Sequence, residues 1–182
     1  MAIQLVEKEF PEDSYPSGLR DDFYYRFELE GNDVVFEPVY KSFWVDDDDD
    51  FIALTRSMVL TSRGFLIVYS IDSRYSFELV EMCYKKIISI KNPLENESIP
   101  IAICGNKSDL TNKRVVSETE GRDLAARLNV PFFETSALNN INIKESFCTV
   151  AEMVYQKWKK EPKKEPKKEQ KSKNTKEVCT TS

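Results

Sequence analysis

The sequence predicts an α/β fold with a mostly parallel sheet covered on both faces by helices. Short apolar runs of strand length alternate with longer amphipathic segments in the second half of the chain. Parallel strands need crossover connections, and the helices in those connections cover both faces of the sheet. The chain has 182 residues, 41% of them apolar, which suffices for one buried core.

The first part of the chain is predicted to contain a helix, a hairpin and a second helix. Ile3–Phe10 has the apolar spacing of a short helix. Phe23–Leu29 and Val34–Val39 alternate as strands about a turn at Gly31-Asn32. Phe51–Thr61 again has a helical pattern.

Three pairs follow, each with a short apolar strand and a longer amphipathic helix. Ser117 and Glu120 form a Ser-x-x-Glu capping box, which indicates where the second helix begins. The pairs are Phe65–Ser70 with Tyr75–Ile88, Ile99–Cys104 with Ser117–Leu128, and Pro131–Glu134 with Ile143–Trp158.

Two polar strings, Asn106-Lys107-Ser108-Asp109 and Glu134-Thr135-Ser136-Ala137, come at the ends of buried strands. Ligands of such sheets bind just past the carboxyl ends of the strands. The Asp109 carboxylate can accept both the ring N–H and the exocyclic amine of guanine, whereas adenine presents an acceptor to it. Asn106 can tie the loops together, Lys107 can lay its stem over the purine, and the Ala137 N–H can donate to the guanine carbonyl. Together the strings predict a guanine site.

The stretch from Ile3 to Trp158 resembles the Ras and Rap branch of the small GTPases. Besides the two strings, Gly64–Ile71 is similar to the buried central strand of that branch, and Arg114–Ser117 also matches. The resemblance implies a three-layer P-loop GTPase-like fold, GTP or GDP with Mg²⁺ as ligand, and Ras-type effector and regulator proteins as partners. The residues that it assigns to nucleotide binding are Phe10, Asn106, Lys107, Asp109, Ser136, Ala137 and Leu138, the last at a position where the family usually has lysine.

The phosphate-binding elements of that family are missing from the sequence. None of the five glycines is followed by lysine, so there is no Gly-Lys-Ser/Thr loop to cradle phosphates. Ile3–Phe10 matches the helix that normally follows the loop, which predicts that the first strand is missing too. Tyr40–Trp44 fills the place of Asp-x-x-Gly-Gln, with Trp44 where a glutamine orients the attacking water. The resemblance implies GTP hydrolysis, but no residue is assigned a catalytic role.

Two interpretations of the missing strand stay open: an incomplete copy of a longer protein, or a divergent relative whose sheet closes without it. Two candidate functions correspond to these interpretations. One candidate is a GTP/GDP switch of the Ras type, and the other is a pseudo-GTPase that binds partners independently of nucleotide. Base contacts alone would give a complex of about −4 kcal/mol, which is millimolar.

Ser17, Asp21 and Asp22 are predicted to belong to the first switch and effector region. Pro16-Ser17 is similar to the Pro-Thr of the family, and the Ser17 hydroxyl could reach magnesium. A polar entry to an edge strand is the alternative interpretation. The aspartate run Asp46–Asp50 is interpreted as a solvated acidic loop.

Residues 159–182 are predicted to be a disordered polybasic tail, separate from a domain at residues 1–158. Ten lysines and four glutamates lie between Lys157 and Glu177, a formal charge of +6 in a chain of net charge −5. Cys179 begins a Cys-x-x-Ser prenylation box, and the lysines supply the second signal that stable anchoring requires. We expect a lipid-anchored protein on the cytoplasmic side of the plasma membrane, otherwise cytosolic, that contacts anionic inner-leaflet lipids. A solubilising tail with an idle cysteine is the alternative.

Several classes of function are excluded or disfavoured by composition. Histidine is absent, which removes Ser-His and Cys-His nucleophile pairs and histidine metal sites. Cys83, Cys104 and Cys148 lie in apolar patterns and are expected to be reduced core residues. No apolar run reaches the roughly 18 residues of a membrane span. Nucleic acid is not an expected partner, because no aromatic residue interleaves the tail lysines from residue 159 onward.

Overall fold

The computed structural model of the chain describes Met1 and residues 24–37, 56–94 and 97–160. An antiparallel pair of strands and a parallel sheet of order β3-β4-β5 make up the β structure, and the parallel sheet with its helices confirms the α/β class. Residues 56–61 are helical and precede β3. The labelled elements are β1 (Tyr25–Leu29), β2 (Asn32–Phe36), β3 (Phe65–Ser70), α1 (Arg74–Lys91), β4 (Ile101–Asn106), a 3₁₀ turn (Thr111–Lys113), α2 (Glu118–Leu128), β5 (Phe132–Glu134) and α3 (Ile143–Lys160).

The predicted hairpin is present, but its turn is Glu30-Gly31 and not Gly31-Asn32. Leu29 pairs with Asn32, which leaves two residues for the loop. Glu30 and Gly31 have φ values of 52° and 76°, as in the two-residue turns whose twist matches that of the strands. Asn32 instead begins β2, and its Nδ2 donates to the Tyr155 hydroxyl of α3 at 3.1 Å.

The strands of the parallel sheet lie close to their predicted positions. β3 occupies the predicted residues, whereas β4 covers Ile101–Asn106 where Ile99–Cys104 was expected. The later start has a physical reason at Pro100, which has no N–H to donate to a sheet. Its carbonyl accepts from the Phe65 N–H at 2.8 Å, just before the strand begins.

The helix boundaries follow from their capping residues. Ser73 caps α1 by accepting from the Ser76 N–H. The predicted capping box of α2 is confirmed, because the Ser117 hydroxyl accepts from the Glu120 N–H at 3.2 Å and the Glu120 carboxylate accepts from the Ser117 N–H at 2.9 Å. α3 continues to Lys160, two residues beyond its predicted end.

The main core lies between one face of the parallel sheet and helices α1 and α2. On the other face α3 packs closely, and a Cβ added at Gly64 would lie 2.6 Å from Val150. Cys83 and Cys104 are buried free thiols and Cys148 is partly buried, as expected. The buried residues of the main core are Val59, Ile67, Tyr69, Ile71, Val80, Cys83, Ile87, Ile101, Ile103, Val116, Leu124 and Ala125.

Tyr69 extends across this core, and its hydroxyl fills the space left by two glycines. A Cβ at Gly121 would overlap the Tyr69 hydroxyl and lie 2.6 Å from the Phe132 ring, and one at Gly105 would lie 2.7 Å from the same hydroxyl. Within the described part of the chain, this hydroxyl is the buried side-chain oxygen that lacks a hydrogen-bond partner. Burial raises the pKa of Tyr69 to about 12, and the charge of Glu134 adds to the effect.

Several predictions fall outside the described residues. They concern the helix at Ile3–Phe10, the Tyr40–Trp44 segment, the Asp46–Asp50 run and the tail beyond Lys160. Among the helices of the described ranges, none is long and apolar enough to cross a bilayer.

Candidate guanine-binding site

The two polar loops meet at the carboxyl edge of the parallel sheet. β4 and β5 are neighbouring strands, so the loops that follow them begin side by side. The Thr135 N–H donates to the Gly105 carbonyl at 2.9 Å, and the Ser108 N–H donates to the Thr135 carbonyl at 3.0 Å. The backbone itself therefore joins the two strings.

Asn106 adds a side-chain link between the loops. Its Oδ1 accepts from the Thr135 hydroxyl at 3.2 Å and from the Ala137 N–H at 3.3 Å. Thr135 is completely buried, so its position is fixed by packing as well as by this bond. The Ala137 N–H, which the sequence assigned to the guanine carbonyl, is directed at Asn106 in this structure.

Asp109 is oriented by a buried hydroxyl. The Ser136 Oγ donates to Asp109 Oδ1 and accepts from the Asn139 N–H at 3.0 Å. Ser136 is fully buried, so it holds the carboxylate in place. Asp109 Oδ2 takes no part in the bond with Ser136. A ligand with two neighbouring N–H donors could therefore donate one hydrogen bond to Oδ2 and share Oδ1 with Ser136.

Lys107 is fixed by a carboxylate from a third segment. Its Nζ lies 3.2 and 3.3 Å from the two oxygens of Asp72, in the loop between β3 and α1. The Ser70 hydroxyl, and to a lesser degree Lys107, lowers the pKa of Asp72. Anchored in this way, the methylene stem of Lys107 can line one side of a bound base. Asp72 was missed by sequence reasoning, because 35 residues separate it from Lys107 and no local pattern links them.

The rim of the second loop carries an apolar residue. Leu138 is 54% exposed, and its side chain cannot supply the charge that lysine would give at this position. Behind it, Ser136 and Ile141 exchange backbone hydrogen bonds of 3.1 and 3.0 Å. The Asn142 amide donates to the Glu134 carbonyl at 2.7 Å, which closes the loop against β5.

Met1 packs beside the site. It contacts the small apolar cluster of Ala137 and Ile143, and its sulfur lies 3.9 Å from the Thr135 hydroxyl. Sequence reasoning gave Met1 no role. This contact places an apolar side chain against the same loop that Asn106 holds.

The remaining predicted site residues are not part of this geometry. Phe10, Ser17, Asp21, Asp22 and Cys179 lie outside the described residues. Within the ranges described, no three His, Cys, Asp or Glu side chains converge in a way that could hold a metal ion.

The groups at this edge match the chemistry of a guanine base. Asp109 offers the carboxylate that pairs with two neighbouring N–H groups, and Lys107 offers an apolar stem. The Ala137 N–H, by contrast, donates to Asn106 Oδ1 at 3.3 Å. Phosphates call for several N–H donors and a cation. Because the Lys107 ammonium is paired with Asp72, the described groups fit the base better than they fit the phosphates.

Comparison with known proteins agrees with this description. The Ras family model matches residues 1–156. The chain is 33% identical over 162 residues to the Ras-like protein rasB of Dictyostelium discoideum, covering 89% of this chain and 78% of that protein. It is 34% identical over 154 residues to Ras-like protein 1 of Saccharomyces cerevisiae, covering 85% and 47%. It is also 39% identical over 115 residues to the Ras-like protein rasC of Dictyostelium discoideum, covering 63% and 59%.

The parallel sheet with its paired loops is the architecture of a small GTPase. The match over 156 residues and the identities of 33–39% make the assignment more specific. The chain belongs to the Ras family.

Proposed function

We propose that this Ras-family protein recognises guanine nucleotides through the base and acts as a signalling protein at the cytoplasmic face of the plasma membrane. The observation that carries the nucleotide part is the linked pair of loops. Asn106 accepts hydrogen bonds from Thr135 and Ala137 of the second loop. Ser136 orients Asp109. Since these groups are held before a ligand arrives, little ordering entropy is lost on binding.

Base recognition and phosphoryl transfer are separate in this proposal. A bidentate contact to Asp109 contributes about 1–3 kcal/mol of discrimination between bases. The sequence has no Gly-Lys pair, and Trp44 stands where the family has its glutamine. Charge-assisted phosphate contacts contribute roughly 1.5–3 kcal/mol each, so the lack of several lowers affinity strongly. We expect guanine-selective but weak binding and very slow hydrolysis by the 182-residue chain.

Titration of the full chain with fluorescent GDP and GTP, with and without magnesium, tests the nucleotide part. ATP serves as the competitor. We expect guanine selectivity that Asp109→Asn removes, because the amide replaces one acceptor with a donor. Asp123→Asn makes the same chemical change on the exposed face of α2 and should leave binding unchanged. Equal binding of ATP and GTP, or no effect of Asp109→Asn, would contradict base recognition.

A nucleotide-independent interaction module is the second candidate, and the packing of Met1 favours it. Met1 packs against the cluster that contains Ala137, and the Ala137 N–H donates to Asn106. In this form the loops would be a rigid scaffold for partners. Binding that is no tighter than millimolar and shows no preference for GDP or GTP over ATP, by a chain that circular dichroism shows to be folded, would support this candidate. Micromolar, magnesium-dependent binding would support the GTP/GDP switch.

The membrane part of the proposal rests on the tail and Cys179. Lysines between Lys157 and Glu177 would be attracted to anionic lipids by up to about 1 kcal/mol each, reduced by the interleaved glutamates. A prenyl group on Cys179 would add the apolar anchor. Effector and regulator proteins of the Ras type are the proposed partners. Mass spectrometry of the protein from its native cells would detect a lipid on Cys179, and Cys179→Ser should move the protein into the soluble fraction.

A further inference from the structure

One end of the molecule lies opposite the guanine-binding loops. The strands of the parallel sheet all begin at this end, since β3, β4 and β5 run in the same direction. Helices α1 and α3 return from the carboxyl edge and finish here. The Lys157 ammonium donates to the Ser98 carbonyl at 3.2 Å, which places the last turn of α3 beside the segment that leads into β4. We call this end the basal surface, defined by Leu60, Arg63, Lys91, Leu94, Lys157, Trp158 and Lys160.

Three large apolar side chains of the basal surface are exposed to solvent. Leu94 is 79% exposed, Leu60 is 51% exposed and Trp158 is 49% exposed. Hydrogen bonds link the segments that carry them. The Lys91 ammonium donates to the Leu60 carbonyl at 2.9 Å, and α1, which contains Lys91, ends just before Leu94.

A second set of contacts connects Leu94 with α3. The Leu94 N–H donates to Glu97 at 3.1 Å, and the other oxygen of Glu97 pairs with the Lys157 ammonium at 2.7 Å. Trp158 is the next residue, and its ring lies 5.9 Å from that of Tyr155. The three exposed apolar residues therefore belong to one end of the molecule and not to scattered positions.

The same end carries an excess of positive charge. Glu97 is paired with Lys157, and Glu30 is paired with Lys159 at 2.6 Å. Arg63 and Lys160 are exposed. The charge of Lys157 contributes, after burial, to lowering the pKa of Lys91, so the cations here are close enough to affect one another. The cations of this end are the four of the basal surface and the neighbouring Lys159, five in all, and the carboxylates of Glu30, Glu97 and, in the adjacent sequence, Glu95 leave a net positive charge.

We propose that the basal surface rests on an anionic lipid bilayer, with Leu60, Leu94 and Trp158 entering the headgroup region. Indole rings favour the boundary between water and lipid, where one edge is apolar and the N–H stays wet. The surrounding lysines match the negative charge of the lipids. The lysine-rich segment follows Lys160 directly in the sequence, so the basal surface and the tail would contact the same leaflet of the membrane. This inference rests on the membrane part of the proposed function, and it adds an orientation in which the guanine-binding loops face away from the lipid.

Tryptophan fluorescence of the full, unlipidated chain tests the proposal. Trp44→Phe leaves Trp158 as the single indole, because the chain has two tryptophans. We expect the Trp158 emission to shift to shorter wavelength, and to be quenched by brominated lipids, on vesicles that contain phosphatidylserine but not on phosphatidylcholine alone. Leu94→Ser should weaken binding about tenfold, since the apolar contribution to interfacial binding scales with buried apolar area. Because the Leu94 side chain is 79% exposed, this substitution should not disturb folding.

Tyr75→Ser is the matched control, because Tyr75 is 65% exposed at the opposite edge of the sheet. It should leave vesicle binding unchanged. If the chain sediments with anionic vesicles while the Trp158 emission does not change, the tail alone binds and the basal surface does not. An effect of Tyr75→Ser equal to that of Leu94→Ser would also overturn the proposal. Failure of the unlipidated chain to sediment at all would overturn the basal-surface proposal, whereas the prenyl anchor is tested separately by the fractionation of Cys179→Ser and the guanine site by GDP titration of the same samples.

Discussion

Arg114 and Glu134 form a two-point ion pair, with Nη1–Oε1 and Nη2–Oε2 distances of 2.5 and 2.9 Å. The side chains are only 26% and 15% exposed. The pair joins the segment before α2 to the last residue of β5, where the chain turns into the second guanine-binding loop. The Arg114 guanidinium also donates to the Val116 carbonyl at 3.1 Å. A parallel fork of this kind fixes orientation as well as charge.

A double-mutant cycle of Arg114→Met and Glu134→Gln should give a coupling free energy of about 1–3 kcal/mol. Each single change leaves a mostly buried charge without its partner, whereas the double change removes both. Urea unfolding at neutral pH measures all four proteins. Arg122 and Glu118, an exposed pair one turn apart on α2, provide the control cycle. Their coupling should be only about 0.3–0.5 kcal/mol, and equal coupling in the two cycles would show that burial does not strengthen the first.

Tyr69→Phe should stabilise the protein by about 1 kcal/mol, because it removes a buried hydroxyl that has no partner among the described residues. Tyr84→Phe is the matched control. Its hydroxyl donates to the Leu128 carbonyl at 3.4 Å, so its removal should have a neutral or destabilising effect. Thermal and urea unfolding give both differences. A loss of stability in Tyr69→Phe would mean that the hydroxyl bonds to an ordered water.

Glu120→Ala should destabilise the protein at neutral pH, and the destabilisation should become smaller in strong acid. Arg74, followed by the backbone and hydroxyl of Ser117, lowers the pKa of Glu120 to about 2 from an ordinary value of 4.5. A lowered carboxyl pKa contributes stability above pH 4.5, and that contribution is lost as the pH falls to about 2.

Unfolding midpoints of the wild type and Glu120→Ala, measured across this pH range, show whether the difference in stability between the two proteins decreases as the pH falls. Glu118→Ala removes a carboxylate from the same turn of α2 without removing the capping box, so its effect at neutral pH should be smaller. A gap for Glu120→Ala that is as large at pH 2 as at neutral pH would contradict the assignment to charge.

Cys104 should react with maleimide only when the protein unfolds. Burial raises the pKa of Cys104 to about 12, so almost no thiolate forms near neutral pH. Cys148 is only partly buried and should be modified first. Timed labelling at mildly alkaline pH, followed by peptide mass spectrometry in a Cys179→Ser background, measures the order. Faster labelling of Cys104 than of Cys148 would indicate local opening of β4.

Much of the parallel sheet could be predicted because its signals are local. Phe65–Ser70 is a short apolar run that follows Arg63-Gly64, and the Ser117–Glu120 box marks a helix start within four residues. The errors lie at boundaries where backbone geometry decides. Pro100 delays β4, and the register that pairs Leu29 with Asn32 places the hairpin turn at Glu30-Gly31, although asparagine tolerates a positive φ better than glutamate does.

The site was predictable in part for the same reason. Asp109 and Ser136 each follow a buried strand, and neighbouring parallel strands bring such residues together. The supports of the site were not predictable. Asp72 holds Lys107 from another loop, and the Met1 contact joins residues more than a hundred positions apart. Pairings of this kind depend on how the elements pack, which no local pattern encodes.

Tyr69 and Gly121 share one small volume, because the hydroxyl of the first occupies the place where a side chain of the second would stand. The sizes of the two residues are therefore linked across 52 positions of sequence. An alanine at position 121 would require a shorter side chain at position 69 and some movement of Phe132. Among related sequences, we expect a larger residue at position 121 to occur together with a smaller residue at position 69.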